Sequence, residues 1–573
     1  MNSTTSGSNA DKVDHRERMA DYTFNQLGAT ATILVILVWS LASIWLHLAT
    51  PGGADKTEMT YFSTLGIGFL MLAPLYWKRV RWSYVAGILL ILASFLGAGV
   101  AAWSRILFFS WSIYNVSVII VYVAALLGMF FSYRSFREFP STSRSRAFLS
   151  LSGMVLILIV CGAAFWSGTD LMRASMLGNI NGKLQSLEPL DEKIRFLMSK
   201  GNIPSLAAGI VVNDSLVWTG GYGADPYETV YQIASVTKPF VATAILQLYE
   251  QNLIDLDTDI NEYLPFSLRH PEYPDKPITI RMLLTHQSGL AHYTIQYRSY
   301  VEDEEILEWR SRNLGSSVVR YNPYPSFAEF LEGYLTPGGP YHSPDAWTSS
   351  EPRKGFFYSS LGYDVLGYVV ERVTDQRFTD YLQESILDPL NMTSTGFSVS
   401  DFPESQAIPY ERVYGVLSKT LVELPLYDRI LIGGGGMRST VQDLSKFMIA
   451  HMNDGKIDGL QLLKPGSIEL MHGKAVSFPH QSPVVGYGYG WIHHNVNPIN
   501  FIDMRGSQGH GGECLGFMSA MWFVEEEQGG YGIILLTNVN ENIKSNVVGA
   551  PEIYRLIQEL LLREASLMFK QTP

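Results

Sequence analysis

The sequence predicts two modules: an N-terminal all-α transmembrane bundle of five spans, followed by an α/β domain. Three observations carry this. Five long apolar runs fill the first 170 residues. Charge is split: residues 1–170 balance at +4, and the rest at −16. Beyond residue 190, strand-like segments near both ends enclose helical ones, so the two ends of that domain meet in one sheet. The 573 residues are 47% apolar and only 17% charged, too apolar for a disordered chain. A net charge of −12 without a basic stripe excludes nucleic acid as a partner.

A tail at 1–28 precedes the runs, which lie at 29–49, 60–77, 83–103, 106–131 and 148–168 and contain no Asp, Glu, Lys or Arg. About 20 apolar residues in a helix cross a hydrocarbon core of roughly 30 Å. Lys12, Arg16, Arg18, Lys78, Arg79, Arg81, Arg134, Arg137, Arg144 and Arg146 flank one side, and only Lys56 and Arg105 the other. That bias puts the N-terminus in the cytoplasm and, after five spans, the second module outside the cytoplasmic membrane. Trp39, Trp45, Trp77, Trp103 and Trp166 lie mostly near span ends, as interfacial anchors do. The lipid bilayer is therefore an expected partner. The module is 29–170, and 171–189 is a polar linker.

In the domain at 190–573, residues 190–200 suit a short amphipathic helix ended by Gly201. AAGIVVND and SLVWTGGYG read as two strands joined at Asn213-Asp214. A helix follows Ser235. The Tyr- and Pro-rich stretch 291–355 reads as loop-rich. Helices are expected near 361–374, 377–386, 441–453 and 551–568, and strands near 514–524 and 531–537.

Ser235-Val236-Thr237-Lys238 is the first chemical constellation. A serine hydroxyl needs a base to become a nucleophile at neutral pH. Three positions on in a helix is one turn away on the same face, so Lys238 reaches Ser235. Of the 16 lysines, only Lys238 has serine three residues before it. No HExxH or HxH pattern occurs, and the two cysteines, Cys161 and Cys514, are assigned to different modules, so no metal, cofactor or disulfide framework is expected.

Six blocks occur in order: YQIASVTKPF (231–240), TIRMLLTHQSGL (279–290), FYSSLGYDVLG (357–367), ILDPLNMTSTGF (386–397), GGGGMRSTVQDLSKF (433–447) and GHGGECLGF (509–517). Together they closely resemble the class C β-lactamase and D-Ala-D-Ala peptidase family, whose relatives include esterases and D-aminopeptidases. The resemblance spans about 185–568. It implies an α/β serine β-lactamase-like fold: an antiparallel sheet flanked by helices, with a helical subdomain. It makes Ser235 the acylated nucleophile, Lys238 its partner in proton transfer, and Tyr358 the general base and later activator of water. His510-Gly511-Gly512 matches the third motif, on the strand lining the site. The oxyanion donors would be the backbone N–H groups of Ser235 and Glu513. A Lys238 ammonium would favour a Tyr358 phenolate.

Two departures from the family pattern bear on substrate. Ser360 stands where the second motif has Asn, which usually holds the lysine and the substrate amide. His510 stands where many lactamases have lysine, and a neutral imidazole attracts a substrate carboxylate less than an ammonium does. Both argue for a peptidase or esterase rather than a strong β-lactamase. Small-molecule, peptide or lipid-linked substrates are expected. The alternative is a sensor that binds a β-lactam or peptide and signals through the spans, but the zinc-protease motif of such sensors is missing. Other residues have blander readings. His286 and Gly289 read as a helix ending, Arg438 as a surface residue or a grip for an anionic substrate, and Cys514 as a small core residue. The glycines at 433–436 lack the GK[ST] of a phosphate loop.

Overall fold

The computed structural model describes residues 180–223, 226–292, 300–301, 326–414, 419–478, 484–494, 496–497, 502–504, 506–540 and 550–572. The predicted tail, the five spans and residues 171–179 of the linker lie outside the described residues. Among the described residues no helix is long and apolar enough to cross a membrane. Nearly all of them fall in one compact unit, 188–545 with 549–573.

The unit is built on an eight-stranded antiparallel sheet. Its strands are β1 (Leu206–Val212), β2 (Ser215–Tyr222), β3 (Val476–Ser477), β4 (Val484–Tyr487), β5 (Ile492–His494), β6 (Gln508–Cys514), β7 (Phe517–Glu526) and β8 (Gly529–Thr537). The order is β3-β4-β5-β6-β7-β8-β1-β2. β1 therefore lies between its hairpin partner β2 and the last strand β8, with Leu206 opposite Thr537 and Val212 opposite Tyr531. The two ends of the domain meet in one sheet, as expected. The β1–β2 hairpin turns at Asn213 (φ 54°), a residue that tolerates the left-handed region.

Seven helices concern the site and its frame: α1 (Leu190–Gly201), α2 (Thr237–Glu250), α3 (Ile280–Leu284), α4 (Phe327–Leu335), α5 (Ser360–Thr374), α6 (Val441–Met452) and α7 (Ala550–Gln571). α6 and α7 cover opposite faces of the sheet. Trp522 Nε1 donates to Gln558 Oε1 of α7 at 3.0 Å. Its neighbour Phe523 sits on the other face beside Gly532, where a Cβ would lie 2.5 Å from Met448 of α6. All seven residues of β1 are buried because both faces are covered. α2 is buried nearly all round, 11 of its 14 residues, so it is a central helix rather than an amphipathic surface one.

Several boundaries differ from expectation. α1 includes Gly201, and Asn202 (φ 47°) makes the left-handed C-cap. The stretch 291–355 is not all loop: α4 lies within it, started by a capping box in which Ser326 Oγ accepts the Glu329 N–H while Glu329 accepts the Ser326 N–H. The Ser-x-x-Glu signal was present but surrounded by Pro and Gly. The strand expected at 514–524 is β7, which starts at Phe517 after a turn at Gly516 (φ 77°), and β6 before it ends at Cys514. Glycine-rich β6 has no side-chain alternation to reveal it.

Candidate active site

Ser235 sits in a 3₁₀ turn, Ala234–Val236, that leads straight into α2. Ala234 has φ 47°, a left-handed conformation that costs a non-glycine residue energy and recurs at functional turns. Two neighbours hold the turn. Ile233 N–H donates to Met437 O at 2.9 Å, and Ser519 Oγ of β7 donates to Ile233 O at 2.6 Å. β6 passes close by: a Cβ on Gly512 would lie 2.3 Å from Ile233 O and 3.0 Å from Ser235 N, so only glycine fits there.

Lys238, one helical turn on, is fully buried. Its Nζ lies 3.0 Å from Ser235 Oγ and 3.0 Å from Ser360 Oγ, and it also donates to Gly434 O. The rings of Tyr358 and Tyr363 lie 5.0 and 5.6 Å from Nζ, within cation–π range. Three oxygens match the three protons of an ammonium. A neutral amine donates to two of them and accepts the Ser235 proton. Burial pushes Lys238 down from 10.5 to about 7; nearby Asp364 opposes this and Arg429 adds to it. Ser360 thus contacts the lysine, as the family's Asn would. The glycines at 433–436 also serve Lys238, through the Gly434 carbonyl.

His510 is buried on β6. Its Nδ1 lies 2.5 Å from Gly511 O; a carbonyl only accepts, so Nδ1 carries the proton. Nε2 then carries the lone pair, with Tyr358 Oη at 3.4 Å and Tyr487 Oη at 3.3 Å beside it. Burial, then Lys238, pushes His510 down to about 3, so it is neutral at physiological pH. Lys238, lowered to about 7, is no permanent cation, so the electrostatic support expected for a Tyr358 phenolate is weaker. Gly511 points to the opposite side of β6 from His510 and Gly512. Glu513 pairs with Met518 in the same strand ladder.

Four residues that the sequence reading missed or read differently frame this centre. His286 follows α3 with φ 57°, so it does end the helix. Its Nδ1 also accepts the Ser359 N–H at 3.0 Å, and its ring lies 4.4 Å from that of Tyr358. His292 Nδ1 accepts the Ser360 N–H at 3.2 Å, and its ring meets Tyr358 edge-on at 5.0 Å. Burial, then Lys238, lowers both imidazoles, His292 to about 3. Tyr487 on β4 backs His510. Asp364 on α5 accepts the Gly434 N–H at 2.7 Å. An acid within the apolar run YDVLG was the one available hint. Arg438 is corrected on both readings: it is 1% exposed and donates to Tyr427 O, with Asp428 at 3.4 Å, so it neither faces solvent nor grips substrate. Cys514 is a buried core residue. Among the described residues no acid, His and Cys cluster could hold a metal ion.

An antiparallel sheet facing a buried helix, with serine at the helix start, lysine one turn on and tyrosine across the cleft, defines a serine hydrolase domain of the β-lactamase and penicillin-binding type. Residues 190–556 match the Beta-lactamase family, and the chain belongs to it. Protein flp of Staphylococcus aureus is 26% identical over 372 residues, covering 63% of this chain and 65% of that protein. The chain thus spans just under two thirds of the length of that relative. Penicillin-binding protein 4* of Bacillus subtilis is 26% identical over 358 residues, covering 58% of this chain and 71% of that protein. Among solved structures, the octameric penicillin-binding protein homologue from Pyrococcus abyssi shares the fold at a TM-score of 0.51 and 22% identity, over 66% of this chain and 76% of that one.

Proposed function

We propose that this chain is a membrane-anchored serine hydrolase that cleaves an amide or ester through an acyl-enzyme on Ser235, on the outer side of the cytoplasmic membrane. The observation that carries the chemistry is the placement of Lys238 Nζ 3.0 Å from Ser235 Oγ, with Ser360 Oγ and Gly434 O as its other partners. Neutral Lys238 takes the Ser235 proton as Oγ attacks the carbonyl carbon. The backbone N–H groups of Ser235 and Glu513 receive the oxyanion. The close passage of Gly512 against Ser235 N supports that pairing. The tetrahedral species collapses, its C–N or C–O bond breaks, and the leaving group takes a proton from the Lys238–Tyr358 pair. Water then attacks the acyl carbon, giving up a proton to the same pair and releasing the acid and free Ser235.

Neutral His510 supplies no cation for a substrate carboxylate, which supports peptidase- or esterase-like substrates over strong β-lactamase activity. The five apolar runs and the bias of ten basic residues to two support the anchor and its orientation. An anchor in the bilayer would admit amphiphilic or lipid-linked substrates alongside peptides and small molecules.

The test is labelling of the full chain with a fluorophosphonate, then turnover of p-nitrophenyl esters, D-amino-acid amides and nitrocefin. Labelling at Ser235 with esters or amides hydrolysed faster than nitrocefin is expected. A sensor would label and stall, and a chain that never labels overturns the reading. Recovery of activity in the soluble rather than the membrane fraction overturns the anchor.

A further inference from the structure

The acyl-transfer chemistry leaves the buried acid behind Lys238 without a task. Asp364 lies one turn beyond Ser360 on α5, on the same face, and is 1% exposed. It reaches Lys238 through a single residue. The Gly434 N–H donates to Asp364 Oδ1 at 2.7 Å, and the Gly434 carbonyl accepts from Lys238 Nζ. The glycine segment is pressed against α5: a Cβ on Gly434 would lie 2.7 Å from both Ser360 Cβ and Ser360 O, and one on Gly433 would lie 2.6 Å from Tyr363 O. Arg429 Nη1 braces the next carbonyl, Gly435 O, at 2.9 Å.

We propose that Asp364 is a positioning residue for Lys238: it fixes the Gly434 carbonyl on Nζ and supplies the buried negative charge that offsets the ammonium formed when Ser235 loses its proton. The inference rests on the acyl-transfer reading and deepens it. With a serine in place of the family's Asn, the Gly434 carbonyl and the acid behind it take a larger share in holding the lysine.

The charged and titratable groups around this pair come from every neighbouring element. They are Lys238 on α2, His286 and His292 after α3, Tyr358 before α5, Tyr363 on α5, Arg429, Tyr487 on β4 and His510 on β6. Burial raises the Asp364 carboxyl, while the Gly434 N–H, Arg429 and Lys238 pull it back down. Burial lowers Lys238, and Asp364 is the influence that raises it. Removing the negative charge therefore makes the ammonium harder to form, and Lys238 stays neutral to lower pH.

Asp364→Asn in the full chain tests this. Its amide oxygen still accepts the Gly434 N–H, so the carbonyl stays in place while the charge goes. With a p-nitrophenyl ester, the acid limb of kcat/KM is expected to move down by about one pH unit or more. The plateau, per fluorophosphonate-labelled site, should fall less than tenfold. A merely structural role would lower Tm and the labelled fraction but leave the limb where it is. That unmoved limb overturns the proposal. Gly434→Ala does the reverse: it keeps the charge and pushes the carbonyl off Nζ. Its kcat is expected to fall about 100-fold, with KM little changed and the limb in its original place. Full kcat in that variant overturns the proposal even where the Asn protein fails to fold. A wild-type chain that neither labels nor turns over defeats the acyl-transfer reading instead, which is a distinguishable result.

Discussion

Two buried clusters of titratable side chains border α2, and they differ in what they face. At its start, Lys238 touches Ser235, Ser360 and Gly434, with Asp364 and Arg429 close by. Further along, Thr243 Oγ1 lies 3.2 Å from His451 Nε2, His451 Nδ1 lies 3.3 Å from His472 Nε2, and His472 Nδ1 lies 3.0 Å from Glu525. Burial is the largest cause of the lowered pKa in both Lys238 and His451. A perturbed pKa therefore does not by itself distinguish a catalytic base from a core residue. The difference is the neighbour: Lys238 abuts a part-exposed hydroxyl, whereas His451 abuts a helix threonine, a second imidazole and the Trp491 ring at 5.1 Å.

The largest effect should come from removing the base itself. Lys238→Ala is expected to lower kcat/KM about 10³-fold, while His451→Phe leaves it within about threefold. Equal losses in the two variants would erase the contrast. Next, Ser360→Ala removes one of three partners of Nζ, and a loss of about tenfold in kcat/KM is expected, the worth of one hydrogen bond to a charged group. A loss as deep as that of Lys238→Ala would make Ser360 more than a lysine contact.

The pH profile sharpens the comparison further. Because Lys238 acts neutral, activity should rise with pH through about 7. His510→Gln should leave that limb in place, since His510 is already neutral. A limb that shifts in this variant would show that the imidazole titrates in the working range. The smallest effect concerns stability. His286, His292, His451, His493, His494 and His510 are all held below the usual 6.5, chiefly by burial. The unfolded chain binds protons that the fold refuses, so stability falls as pH drops below 6.5. Thermal melts between pH 8 and 5 read this slope, and His451→Phe should flatten it.

Much of the domain was legible because its signals are local. Two strand-like runs joined by an Asn-Asp turn marked β1 and β2. Helical periodicity marked α5, α6 and α7 to within a few residues. The three-residue spacing of Ser235 and Lys238 placed both on one turn, and the six ordered blocks identified the family. α4 and the full extent of β6 escaped. One was hidden among Pro and Gly, and the other carries too few side chains to show a period of two.

By itself the sequence determined the order of the motifs, the helix that carries nucleophile and base together, and the two departures, Ser360 and His510, that steer expectation away from strong β-lactamase chemistry. Only the tertiary structure decided which protonation states those groups hold and what keeps them there. Gly434, Asp364, His286, His292 and Tyr487 reach the centre from segments scattered over some two hundred residues of chain. Their contacts have no local periodicity to announce them. The neutrality of His510 and the lowered pKa of Lys238 arise from exclusion of water, a property that exists only once α2, α5 and the sheet have closed around them.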